Sequence, residues 1–262
     1  MVNQIIFISG WGTESSVWDS VLKPFTSKNR CASVSFSKPP NYQITKSPNG
    51  FMSNHRCAPI PWYDCLSGKL SNNLLFRLLV ELNNPVILVG WSLGGMIALS
   101  GAIAFPEKVS GLVLISSSAR MVHDKEYIGV NPRILKAMKF RLKTDKQGLL
   151  NDFAVMGILP AKNDPVQEDF VNKATAIDND KLSEGLSYLQ NCDLRDRLTN
   201  IRIPVNIVHG ECDEIMNPAN ACYLGDNLLN ADLNIVDGAG HFLIHSNPEI
   251  IIDSIKDLQR KV

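Results

Sequence analysis

No apolar stretch in this 262-residue chain approaches the roughly 20 residues that a membrane-spanning helix needs. Excess charge of either sign is also missing. The 26 Lys and Arg balance 26 Asp and Glu, so there is no global pull toward nucleic acid or acidic membranes. Cysteine is sparse: Cys31, Cys57, Cys65, Cys192, Cys212 and Cys222 include no Cys-x-x-Cys pair and no zinc-ligand spacing. A chain of this length needs no disulfide staples, so these read as reduced thiols of a cytosolic protein. The segment Met1 to Gly10 has no basic region and too short an apolar stretch for a signal peptide. Histidines and carboxylates form no cluster that suggests a metal. These absences lead us to expect a soluble cytoplasmic monomer without metal or cofactor.

What is present is a rhythm of short apolar runs separated by helical stretches. Ile5–Ile8, Ala32–Phe36, Val86–Val89, Leu112–Ile115, Val205–Val208 and Leu233–Val236 read as buried strands. Their unbroken apolar character, without alternation, indicates a parallel sheet covered on both faces, and strand–helix alternation indicates a doubly wound α/β domain. The rhythm stops between about Ala119 and Asn191, where helical patterns such as Pro132–Met138 and Leu182–Leu186 stand without a strand. The expected organisation is an α/β core over 1–118, a helical cap over 119–192 and the rest of the core over 193–262. From Ser37 to Ser67 five prolines and little periodicity predict a long loop. Within it, Pro61–Cys65 is expected to pack on the surface, with shaping of a pocket as the alternative.

Chemistry concentrates just after the strands, where ligands bind in such sheets. Pro85–Val89 runs into Gly90-Trp91-Ser92-Leu93-Gly94 and then into the small residues Gly95–Leu99. A Gly-x-Ser-x-Gly turn between strand and helix is a nucleophile elbow, which lifts a serine hydroxyl above the sheet. A serine needs a base to remove its proton, and the order on such a fold is Ser, then Asp or Glu, then His. Asp213 follows Val205–Gly210 by three residues, and His241 follows Leu233–Val236 in a Gly-rich turn. Ser92 is therefore the candidate nucleophile, His241 the base and then acid, and Asp213 the group that orients the imidazole. Glu211, Glu214 and Asp237 are rival carboxylates. His209, inside a strand end, reads as structural; His245 reads as pointing away from the turn, and His55 and His123 as surface residues. The backbone amides of Leu93 and Trp11 are the candidate oxyanion donors, with the Trp11 ring either walling the pocket or packing in the core.

Ser9-Gly10-Trp11-Gly12, Gly90–Gly95, Gly210-Glu211-Cys212-Asp213 and Gly240-His241 resemble the α/β-hydrolase superfamily. With Met156-Gly157 and Asp193-Leu194-Arg195 added, the chain is similar over most of its length to the pimeloyl-[acyl-carrier-protein] methyl ester esterases of biotin synthesis. That resemblance implies an α/β-hydrolase fold with an inserted cap. It also implies hydrolysis of the methyl ester on a pimeloyl chain, with an acyl carrier protein as partner. By position it implies that Lys146, Gln147, Gly148, Leu149 and Leu150 line the acyl channel. A run of six basic residues against one acidic, Arg133, Lys136, Lys139, Arg141, Lys143 and Lys146 against Asp145, would suit an acidic carrier; a solvated helix face is the plain alternative. The chain departs from the family in having Ser9 where a histidine is usual. It also starts at the strand of the oxyanion loop and lacks an Asp-x-x-Gly-x-Gly-x-Ser pattern after the second strand. Alternative readings are a general carboxylesterase, thioesterase or carbon–carbon bond hydrolase on a small diffusible substrate, and a ligand-binding protein with little turnover.

Overall fold

The computed structural model describes residues 4–25, 57–66, 73–162 and 164–262. Among them, six strands form one parallel sheet: β1 Ile5–Ile8, β2 Cys57–Ile60, β3 Val86–Trp91, β4 Val109–Ile115, β5 Val205–Gly210 and β6 Ala231–Val236. Their spatial order is β2-β1-β3-β4-β5-β6. The helices are α1 Asp19–Leu22, α2 Leu74–Glu81, α3 Leu93–Ala104, α4 Pro132–Thr144, α5 Lys146–Ile158, α6 Pro165–Ala176, α7 Asn179–Asn191, α8 Ala219–Asn227, α9 Leu243–Ser246 and α10 Pro248–Lys261.

The sheet is covered on both faces, as the apolar runs of β1, β3, β4 and β5 require. Adjacent residues on a strand point to opposite faces. Leu88 and its register partner Leu112 face α3, because a Cβ on Gly101 would sit 3.5 Å from Leu88 Cδ1. Gly111 faces the other way, where a Cβ would lie 3.0 Å from Leu258 of α10. The hydrophobic faces of α2 (Leu75, Leu78, Leu79) and α10 (Ile251, Ile252, Ile255, Leu258) are all buried.

Three readings are corrected. The segment read as a loop holds strand β2, paired to β1 with Cys57 opposite Ile5 and Ile60 opposite Ile8. Trp62, expected at the surface, is fully buried in a 3-10 turn over Trp62–Cys65. The last strand is not buried throughout: among the described strands β6 is an edge, and Asp232, Leu233 and Asn234 are exposed. The expected strand Ala32–Phe36, together with Cys31 and His55, lies outside the described residues. The five described cysteines are all free thiols. Among the described residues no helix is long and apolar enough to cross a membrane, and no group of three His, Cys, Asp or Glu side chains is placed to hold a metal ion.

Between β4 and β5 the chain builds four helices, α4 to α7, which pair α4 with α7 and α5 with α6. The two crossings between sheet and helices are tied together. Leu194 N donates to Ala119 O at 3.0 Å, Arg120 pairs with Asp193, and Arg195 bridges Asp193 and Asp124 at 2.8 and 2.7 Å. The helices also attach over the strand ends. Trp11 Nε1 donates to Leu182 O of α7 at 2.9 Å, and Phe242 N donates to Gly157 O of α5 at 3.0 Å.

Candidate active site

The turn after β3 is forced by close approach of backbones. A Cβ on Gly90 would lie 2.4 Å from Gly94 O, and one on Gly94 would lie 2.2 Å from Ile8 O. Only glycine fits at either position, so α3 starts hard against the ends of β3 and β1. Ser92 between them is held at φ 55°, ψ −121°, a region that costs a non-glycine residue about 1–3 kcal/mol. Ser92 N donates to Ile115 O at 2.8 Å, and its carbonyl accepts from Ser117 Oγ at 2.8 Å. The strained turn is thus clamped from β4.

Asp213 follows β5 and is 5 % exposed; His241 follows β6 and is 1 % exposed. His241 Nδ1 lies 2.7 Å from Asp213 Oδ2, and His241 Nε2 lies 2.9 Å from Ser92 Oγ. A carboxylate accepts only, so Nδ1 carries the proton and Nε2 is free to accept from the serine hydroxyl. The other Asp213 oxygen accepts from the amides of Ile215 (2.9 Å) and Met216 (2.7 Å), and His209 Nε2 approaches Oδ2 at 3.2 Å. Burial alone would push this carboxyl up. The positive pull of His241 and the hydrogen bonds from His209 and His241 outweigh it, and Asp213 stays well below the usual carboxylate range. The imidazole is steadied from behind: Trp91 Nε1 donates to His241 O at 3.1 Å, and the two rings lie 5.7 Å apart.

The other carboxylates do not reach His241. Glu211 accepts from Gly238 N at 3.0 Å, and Glu214 and Asp237 are exposed. His245 does not point away but packs on Trp91 and Phe242, and burial lowers its basicity. His123 is exposed. Leu93 opens α3, where an amide has no acceptor within the helix. The turn carrying Trp11 adjoins Ser92, since a Cβ on Gly10 would lie 3.3 Å from Ser92 Cβ. Ser9, in the place of the usual histidine, donates to Thr13 O and accepts from Trp62 N, both at 3.3 Å, which ties this turn to the 3-10 turn after β2.

Above the three side chains lies an aromatic layer. Phe153 of α5 stands edge-on to Trp11 at 5.0 Å and to His241 at 6.5 Å, and stacks on Phe170 of α6 at 5.6 Å. Phe153 and Phe170 carry no motif and were not singled out from the sequence; a helical pattern gives a buried face but not which core residue it meets. The stretch Lys146–Leu150 opens α5, with Leu149 and Leu150 one turn before Phe153. Lys146 Nζ donates to Thr175 O (2.8 Å) and Ile177 O (2.6 Å), Gln147 accepts from Thr175 Oγ1, Gly148 N donates to the N-cap Asp145, and Leu149 and Leu150 are buried. Of the basic run on α4, Arg133, Lys136 and Lys143 are exposed. Lys139 donates to Gln190 of α7, and Arg141 pairs with Asp145 and Asp152.

A family model described as the alpha/beta hydrolase family matches residues 5–254. The pimeloyl-[acyl-carrier protein] methyl ester esterase of Wigglesworthia glossinidia brevipalpis is 28% identical over 98% of this chain and 93% of its own length. The protein of the same name from Aliivibrio fischeri strain ES114 is 26% identical, covering 94% and 90%. Among solved structures, an esterase from Exiguobacterium antarcticum superposes with a TM-score of 0.76 at 20% identity, covering 99% of this chain and 93% of that one. A hydrolase from Oleispira antarctica gives 0.77 at 16%, covering 99% and 92%.

Proposed function

Because this chain belongs to the α/β-hydrolase family, we propose that it is a serine carboxylic ester hydrolase acting through Ser92, His241 and Asp213, and that its substrate is the methyl ester of a pimeloyl chain carried on acyl carrier protein. One observation carries the mechanism: a single buried imidazole lies within hydrogen-bond distance of both the serine hydroxyl and the carboxylate. The Ser92 proton moves to His241 Nε2 as Oγ attacks the ester carbonyl. The amides of Leu93 and Trp11 receive the developing oxyanion, at the positive end of the α3 dipole. Collapse expels methanol, which takes the proton from His241, and leaves an acyl group on Ser92. Water, deprotonated by the same imidazole, then releases the acid and restores the serine. Asp213 remains an anion throughout and stabilises the imidazolium.

The substrate is supported by the names of the relatives, which match nearly end to end at modest identity. The apolar layer of Phe153, Phe170 and Trp11 suits an uncharged acyl methyl ester. Arg133, Lys136 and Lys143 on the outer face of α4 suit an acidic carrier. A second reading, a hydrolase of small free esters, draws on the engagement of Lys139 and Arg141 within the helical insertion, which leaves only part of the basic run for a partner.

The test is methanol release from the carrier-bound ester beside the same methyl ester without carrier, for the wild type and Ser92→Ala. The proposal expects turnover that favours the carrier-bound ester and disappears in the variant. Equal turnover of the free ester supports the second reading; turnover that survives in Ser92→Ala overturns the mechanism.

A further inference from the structure

The carboxylate behind His241 is held by a second histidine. We propose that His209 is a positioning residue for the ester hydrolysis, acting through Asp213; the inference rests on the Ser92–His241–Asp213 reading above.

His209 lies in β5 next to its last residue, Gly210, and has no solvent exposure. Its Nε2 faces two oxygens, Met216 O at 2.7 Å and Asp213 Oδ2 at 3.2 Å. Both are acceptors, so Nε2 carries a proton. Its Nδ1 has no hydrogen-bond partner among the described residues. A second proton there would be a buried donor without an acceptor, a costly arrangement. Geometry therefore fixes the ring in one tautomer, with its N–H donated to Met216 O and lying 3.2 Å from the carboxylate.

Satisfying a buried histidine needs only the Met216 carbonyl. The contact with Asp213 adds something further. Oδ2 accepts from His241 on one side and has His209 Nε2 against it at 3.2 Å on the other, while Oδ1 takes the amides of Ile215 and Met216. Met216 closes the ring of contacts, since its amide binds Asp213 and its carbonyl binds His209. The carboxylate plane cannot rotate without breaking several of these bonds. His209 also draws charge from Oδ2, so Asp213 orients the imidazole without competing for its proton. The ionisable side chains facing this carboxylate among the described residues are His209 and His241; Glu214, the next residue, is exposed.

The test replaces His209 by Leu, which removes the donor, by Gln, whose side-chain amide reaches toward Asp213, and by Asn, one bond shorter. Hydrolysis of p-nitrophenyl butyrate gives kcat, KM and the pH profile of kcat/KM, with proton NMR of the low-field His241 Nδ1–H signal alongside. His209→Leu is expected to lower kcat about 10- to 100-fold, the scale of a misplaced group rather than a lost one, with KM changed less than about twofold. Without the donor, Asp213 holds the imidazolium more strongly, so the acid limb moves to higher pH and the NMR signal shifts. His209→Gln recovers most of kcat. Should the Leu variant not fold, Gln must still exceed Asn in kcat. A Leu variant that melts lower but keeps kcat, pH profile and NMR signal overturns the inference, as does equality of Gln and Asn. If Ser92→Ala still hydrolyses the probe above the uncatalysed rate, the triad reading itself falls, and this inference with it.

Discussion

Ser92 keeps an unfavourable backbone because its neighbours leave no alternative. Gly90 and Gly94 admit no Cβ, and Ser117 and Ile115 fix the turn from β4. Gly94→Ala, which would drive a methyl to within 2.2 Å of a β1 carbonyl, is expected to displace α3 and cut kcat by about 100-fold or more. Its measured rate on a short p-nitrophenyl ester, set beside its circular dichroism, checks this. Asp213→Asn is a subtler change. An amide group facing His241 Nδ1 reverses the tautomer, so Nε2 becomes a donor toward Ser92. We expect kcat to fall roughly 10³- to 10⁴-fold with KM little changed, as steady-state kinetics can establish. Ser92, Asp213 and His241 were legible from the sequence because each sits in a short motif after an apolar strand, where the sheet imposes the placement. The His209 contact with Asp213 was not, since nothing in a strand residue announces which loop folds back over it.

At the scale of elements, the helical insertion is pinned to the sheet at its two crossings by Arg120, Asp124, Asp193 and Arg195. The hydrogen bond from Arg195, aided by Arg120 and opposed by burial, lowers the Asp193 carboxyl to about 2. A carboxyl depressed in the folded state stabilises fully above its unfolded value of about 4 and loses that contribution as pH falls toward 2. The melting temperature of wild type should therefore exceed that of Asp193→Asn near neutral pH, and the gap should close between about pH 4 and 2. A gap independent of pH would assign the effect to packing. Strand β2 escaped the sequence reading because Pro59 interrupts it within a proline-rich stretch. The sheet tolerates that proline because, among the described residues, β2 is an edge strand, where one row of amides has no ladder to complete. Trp62 was misplaced for a related reason. The chain around it looks like a surface loop, but α7 lies across it, where a Cβ on Gly185 would meet the Trp62 ring at 2.5 Å.

Over the whole molecule, the balanced charge hides a local asymmetry. The outer face of α4 presents Arg133, Lys136 and Lys143 around Phe140, which is 67 % exposed. An acidic carrier would be steered to such a face, and steering weakens with salt. Reversing the three charges (Arg133→Glu, Lys136→Glu, Lys143→Glu) is expected to raise KM for the carrier-bound ester about tenfold at low salt while leaving the free ester unaffected. KM values for both substrates at two ionic strengths provide the check, and equal loss on both would place the effect on folding. Fold class was the most legible property at this scale, because apolar strands alternating with helices admit few architectures. The partner surface was only half legible: composition marks the basic run, but only the packed helices show that Lys139 and Arg141 are already engaged.

The most direct test of the account is to quench the enzyme in acid during turnover of the pimeloyl methyl ester and map the bound acyl group by peptide mass spectrometry. One acyl group is expected, on the peptide containing Ser92, absent from Ser92→Ala. Turnover with no acyl group on Ser92, or with the group on another residue, would contradict it.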